Sequence, residues 1–299
     1  MSDNSATGQR PRESEDFKPL VISTYLEGDK SDVHTQNDPN QPFERENIIE
    51  RRHKVDVRCQ HKDIVHGYYS DDDDFADPCS LLVFEFEFSP NAIARRIKSA
   101  TVTITFSAKE KGNPDPVVKA IFPRGTFCVE PTQQTETLTR SAGINLGGGI
   151  MGTQVGGELK AETSVQRETY SAAKVKGSID LQGRSWGDKN SVSWMLWEDP
   201  VAKAGVVTRM QAPVLLKRQD MSHFKAVVSI EIKADTMTQI GSVFKTNPKD
   251  DPVYYNPDGK ATWKDHLLEY DLDNLGRQDL QPLSDVTLMT VLKGAVKEM

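Results

Sequence analysis

Cys59, His61, His66 and Cys79 are the first residues whose types could do chemistry, at the spacing C-x-H-x4-H-x12-C. Thiolate and imidazole are zinc ligands, but this is not the tight paired spacing by which zinc sites are recognised. The set reads as loop histidines and a buried thiol, and no metal is expected. Gly147-Gly148-Gly149-Ile150-Met151-Gly152 matches G-x-G-x-x-G in form. That motif holds a pyrophosphate on the free N–H groups and dipole of the helix that follows it. Here an alternating strand follows, so the glycines join two strands and no cofactor is expected. Asp271 to Gly276 opens like a calcium loop, yet Leu275 and Pro282 occupy its fifth and twelfth positions, where oxygen ligands are required. Asp71 to Asp74 with Asp77 lacks the glycine and spacing of such a loop and reads as a solvated turn. There is no G-x-S-x-G and no Walker A motif.

The strongest local feature is Trp194-Met195-Leu196-Trp197-Glu198-Asp199. On a strand, Trp194, Leu196 and Glu198 share one face, and Met195 and Trp197 the other. A carboxylate ending a core-facing row needs a cation. Arg209 and Arg218 return on the following strand, and a guanidinium can hold a carboxylate through two parallel bonds. The sequence therefore predicts a Glu198–Arg209 ion pair across the hairpin, with Arg218 as the second choice. It either locks the hairpin or sits at the mouth of a ligand site formed by Trp194, Trp197, Glu198, Arg209 and Arg218, for a small apolar ligand or a protein partner.

The elements that position these residues are strands. Phe84, Phe86 and Phe88 alternate with Glu85 and Glu87. Val102, Ile104 and Phe106 alternate with threonines, and Phe224, Ala226, Val228, Ile230 and Ile232 form another inward row. Segments 158–169 and 173–182 also alternate, and read at 3.6 residues per turn both would put charge on every face. Trp263 to Leu275 could hold a short helix, Val286 to Val291 a closing strand, and Asn47 to Val57 a short helix or strand. No series of helices separates the strands, which excludes a doubly wound parallel sheet. The expected fold is all-β: an antiparallel two-sheet sandwich with a long Gly-rich hairpin and minor helical content. Residues 1–44 are expected to be a poorly ordered tail, most strongly over the first sixteen, and 45–299 a single domain.

Composition limits the partners. Among 299 residues the formal charge is −7, with basic residues dispersed, so nothing offers the positive stripe that nucleic acid requires. Three widely spaced cysteines and the lack of a glycosylation sequon favour a reducing, cytoplasmic setting. No stretch reaches the roughly 18 apolar residues of a spanning helix. The uncharged run Ser141 to Gly157 has Gly147, Gly149, Ile150, Met151 and Gly152 near its turn, and its flanking segments each supply roughly the 9 to 11 alternating residues of a membrane-crossing strand. Its apolar face is poor in large side chains and the net charge opposes anionic lipid, so binding to and leakage of liposomes are not expected.

Trp194 to Asp199, then Gly205-Val206-Val207, then Arg209 with the run Ala212 to Arg218, Phe224 and Asp251-Pro252-Val253, resembles a recurring set of uncharacterised β-rich proteins of filamentous fungi. In those, W-x-L-x-E-N precedes G-I-P, an arginine and A-V-L-L-x-R; here Asp199 replaces the Asn and Val207 the Pro. The resemblance spans about residues 80 to 260 and implies a β-rich, intracellular fungal protein without an assignable activity. The glycine-rich hairpin is also loosely similar to gasdermins and aerolysin-like pore formers, with no diagnostic motif shared. Three functions follow in order: a non-enzymatic intracellular binding module; a pore former using residues 135–170; and a cofactor-independent cyclase or isomerase with an aromatic pocket at Glu198.

Overall fold

The computed structural model describes residues 22–23, 35–52, 55–69, 77–90, 96–143, 160–234, 250–258, 269–287, 289–292 and 295–298. Its strands are β1 (Ile22–Ser23), β2 (Asn47–Arg52), β3 (Val55–Tyr69), β4 (Asp77–Pro90), β5 (Ile97–Ala108), β6 (Val117–Ile121), β7 (Gly125–Gly143), β8 (Lys160–Asp180), β9 (Ser191–Trp197), β10 (Arg209–Lys217), β11 (Phe224–Ala234), β12 (Val253–Tyr255), β13 (Val286–Thr287), β14 (Met289–Leu292) and β15 (Ala295–Glu298). One sheet runs β1-β11-β5-β9-β8-β7, with β12 also on β11. The other runs β13-β10-β4-β3-β2, with β6 also on β10, and β14 pairs with β15. All these ladders are antiparallel.

Period-two alternation decides which side chains meet. Phe84, Phe86 and Phe88 of β4 and Met210, Ala212, Val214 and Leu216 of β10 face Val102, Ile104 and Phe106 of β5 and Val192, Trp194 and Leu196 of β9 in one continuous core. Phe86 and Trp194, from opposite sheets, have ring centroids 5.9 Å apart. The Trp194 indole N–H donates to the Pro123 carbonyl at 3.1 Å. Gly177, opposite Trp194 in register, makes room for that approach, since a Cβ there would lie 1.9 Å from the Pro123 oxygen.

The outer face of the second sheet is apolar in part, and the chain covers it. Leu275, Leu280 and Leu283 pack on Val65, Leu81, Val83 and Leu215. This strap is fixed by backbone bonds from Tyr68 to Leu272 and from Gln211 to Asp285, both 2.7 Å. Where the sequence allows a short helix up to Leu275, the described part is turn, followed by 3-10 turns at Leu275–Arg277 and Gln281–Leu283. Asn47 to Val57 resolves into β2 and the start of β3. Residues 35–44, tail by composition, are tied to the 250s: the Thr35 N–H donates to Asp250 at 2.6 Å and that of Asn37 to Asp251 at 3.0 Å. Such pairings over more than 200 positions leave no local signal.

Candidate functional site

Segments 158–169 and 173–182, separate on the sequence, run as the single strand β8 up to Asp180. It pairs with β7 from Gly125↔Gly177 to Gly143↔Lys160, with a register shift between Val129 and Thr132. The neighbouring strand β9 meets β8 only from Lys174 to Asp180. From Thr132↔Ser171 outward, β7 and β8 therefore have only each other among the described residues, over twelve successive pairs. At about 3.4 Å per residue that ribbon is about 37 Å long. Its register places Leu138↔Val165, Arg140↔Thr163 and Ala142↔Ala161 on one face, and Thr137↔Gln166, Thr139↔Ser164 and Ser141↔Glu162 on the other. Two-stranded ribbons are marginal in water by themselves, and both long edges here lack a described partner strand. Gly147, Gly149, Ile150, Met151 and Gly152 lie outside the described residues.

The five residues assigned to a ligand site are not gathered into one. Trp194 is fully buried between the sheets, whereas Trp197, on the opposite face of β9, is 38% exposed. The expected Glu198–Arg209 pair is a correction: Glu198 sits 3.1 Å from Arg96, the residue just before β5. The Glu198 backbone N–H donates to the Lys98 carbonyl, so the chain leaving β9 stays on β5 rather than swinging toward β10. Arg209 pairs with Glu85 of β4, its neighbour across the second sheet. Arg218, past the end of β10, is buried and donates to the carbonyls of Asp220 at 3.0 Å and Cys79 at 3.2 Å. Desolvation lowers its pKa to about 10, against the opposing fields of Cys79 and Asp220. Ala substitutions at Glu198 and Arg96 are each expected to cost about 1–2 kcal/mol and to couple in a double-mutant cycle, while Arg209→Ala adds independently of Glu198→Ala; urea unfolding measures all three.

Glu85 is the carboxylate that alternation misplaces. Its position between Phe84 and Phe86 reads as solvent-facing, yet it is 2% exposed. It accepts from Arg209 Nε at 2.7 Å, Gln60 at 2.5 Å and Gln211 at 3.2 Å, with Lys62 at 3.6 Å. Gln60, Glu85 and Gln211 are register partners across β3, β4 and β10, so the pattern was recoverable only once strand order was known. Burial raises the Glu85 pKa, but hydrogen bonds from Arg209, Gln211 and Gln60 outweigh it and hold the group below its usual value of 4.5. A carboxyl depressed on folding contributes stability above its unfolded pKa and loses it as pH falls through the folded one. Unfolding free energy should therefore decline below about pH 4.5, and Glu85→Gln should remove that part of the decline while lowering stability at pH 7 by about 1.5–3 kcal/mol; a urea series across pH is the measurement.

At the opposite end of the inner face, Ser80 Oγ lies 2.8 Å from His66 Nδ1, and His66 Nε2 lies 3.1 Å from Glu44 Oε1. The residue types are those of a nucleophile, base and carboxylate. Ser80 is nevertheless fully buried, with no surface at which an acyl group could meet it, so the trio ties the Glu44 segment to β3 and β4. His61 is spent on Tyr255 and the Arg45 carbonyl, at 2.8 and 2.9 Å. Cys59 belongs to the inner core and Cys79 to the outer cluster, so the four cysteines and histidines are not one ligand set. Among the described residues no group of three or more His, Cys, Asp or Glu could hold a metal ion.

No family model matches the sequence, and neither does any curated protein. Among solved structures the chain aligns with the Clostridium perfringens NetB toxin in its membrane-inserted form, at 6% identity, over 94% of this chain and 100% of that one, with a TM-score of 0.25. Identity and score are both too low for any property of the toxin to be carried over.

Proposed function

We propose that this chain is a membrane-active β protein that crosses a bilayer with the β7–β8 hairpin, several copies together closing a barrel. The observation that carries this reading is the ribbon of twelve pairs that leaves the sheet with no third strand among the described residues. About 37 Å of two-stranded ribbon is marginal in water by itself and gains most by pairing along its edges. A strand crossing a membrane needs about 9–11 residues that alternate apolar and polar. The sequence supplies that alternation around the turn. Ala142, Ile144 and Leu146 alternate with Gly143, Asn145 and Gly147, and Val155, Gly157, Leu159 and Ala161 alternate with Gly156, Glu158 and Lys160. With Met151 and Gly152 left for a two-residue turn, Ala142 to Ile150 and Thr153 to Ala161 are nine residues each, and the two charges between 142 and 161, Glu158 and Lys160, fall on the polar parity.

One hairpin cannot enter lipid alone, because each unpaired backbone group at its edges costs several kcal/mol there. Identical copies can pair edge to edge until a ring closes, which leaves no edge. The test is dye release from phospholipid vesicles at micromolar protein. Composition alone argues against leakage, but the ribbon requires it: release by the full chain, abolished when residues 144–159 are replaced by a short Gly-Ser turn that leaves the melting temperature unchanged, is the result expected on this reading. No release from vesicles of any headgroup composition overturns the reading.

A further inference from the structure

We infer that the outer face of the first sheet, beside the base of the ribbon, is a docking surface for a bilayer rich in anionic phospholipid. The inference rests on the membrane reading of the ribbon. It starts from register. Cys128, Lys174, Trp197, Ser99 and Lys233 are cross-strand neighbours along one row through β7, β8, β9, β5 and β11. Two residues along, Thr126, Lys176, Met195, Thr101 and Glu231 form the next row on the same face. Trp197 and Met195 are 38% and 39% exposed, and Lys174 and Lys176 are exposed too. The two rows thus hold two large apolar side chains and three lysines against one carboxylate, in a chain whose total formal charge is −7.

Each part of that composition fits a headgroup layer. Tryptophan partitions to the level where hydrocarbon meets water, because its ring is apolar and its N–H is not. Lysines are drawn to a surface of anionic lipid, and their long stems keep the ammonium at headgroup height while the ring goes deeper. The acidic total does not oppose this, since charges more than about 10 Å away are largely screened at 0.1 M salt. Five strands at about 4.8 Å spacing make a face about 19 Å wide. Lys174 stands three residues from Ser171, where the ribbon begins, so the docking face lies beside the base of the ribbon.

The experiment is co-sedimentation of the full chain with vesicles of phosphatidylcholine alone or with about 30% phosphatidylserine, read beside dye release from the same vesicles. Binding is expected to the mixed vesicles, to weaken in about 0.5 M salt, and to fall at least about tenfold in Lys174→Glu/Lys176→Glu. The milder Lys174→Gln/Lys176→Gln and Trp197→Ala are each expected to weaken it several-fold with melting temperature unchanged. Equal binding to both vesicle types, binding untouched by the lysine changes, or retention on a sulfated glycan without vesicle binding would overturn the inference. Release that persists in the lysine variants would sink the docking face and leave the ribbon reading standing. Serine-lipid-dependent binding without release would do the reverse.

Discussion

Leu146→Arg should abolish dye release, and Asn145→Arg, one residue away, should leave most of it. The expectation follows from parity alone. Leu146 shares the period of Ala142 and, further back, of Leu138 in β7, whereas Asn145 shares that of Ser141 and Thr139. If the hairpin crosses a bilayer between residues 142 and 161, Leu146 falls near mid-depth on the lipid side. An arginine there costs about 2–4 kcal/mol per copy, and a ring multiplies it by the number of copies. A single copy's penalty already corresponds to a drop of about 30-fold or more. On the other parity the arginine faces water in the closed barrel. The check is initial release rate at equal bound protein for both variants. Equal loss in the two would mean that the segment does not enter lipid as a two-faced strand.

The second large effect is on stability. Trp194→Ala is expected to lower unfolding free energy by about 3–5 kcal/mol, because it empties the contact with Phe86 between the sheets and leaves the Pro123 carbonyl without its donor. Trp197→Ala, at a half-exposed position on the opposite face, should cost below about 1 kcal/mol. Urea unfolding of the two variants is the measurement. A Trp194 variant as stable as the parent would mean that the indole lines a vacant pocket, which would restore the ligand-site assignment.

The two tryptophans also show how far the chain could be read. Alternation within a strand needs only the sequence, since successive side chains point to opposite faces whatever the strand pairs with. That is why the buried Trp194 row, the exposed Trp197, the phenylalanine face of β4 and the all-β sandwich were legible. Partners across strands were not. The next strand in sequence to carry an arginine is β10, which points Glu198 to Arg209; the sheet order instead sets β9 beside β5 and β10 beside β4. Arg96 consequently meets Glu198, and Arg209 meets Glu85.

What the sequence determined by itself was what period two controls: the fold class and the inner faces of the strands. Only the tertiary structure decided that β9 stops short along β8 and leaves a ribbon, that Glu85 is covered by Gln60, Gln211 and Arg209, and that Lys174, Trp197 and Lys233 share a row. The reason is that a side chain's face is a local property of its own backbone, whereas strand order and register are set by burying two whole faces at once.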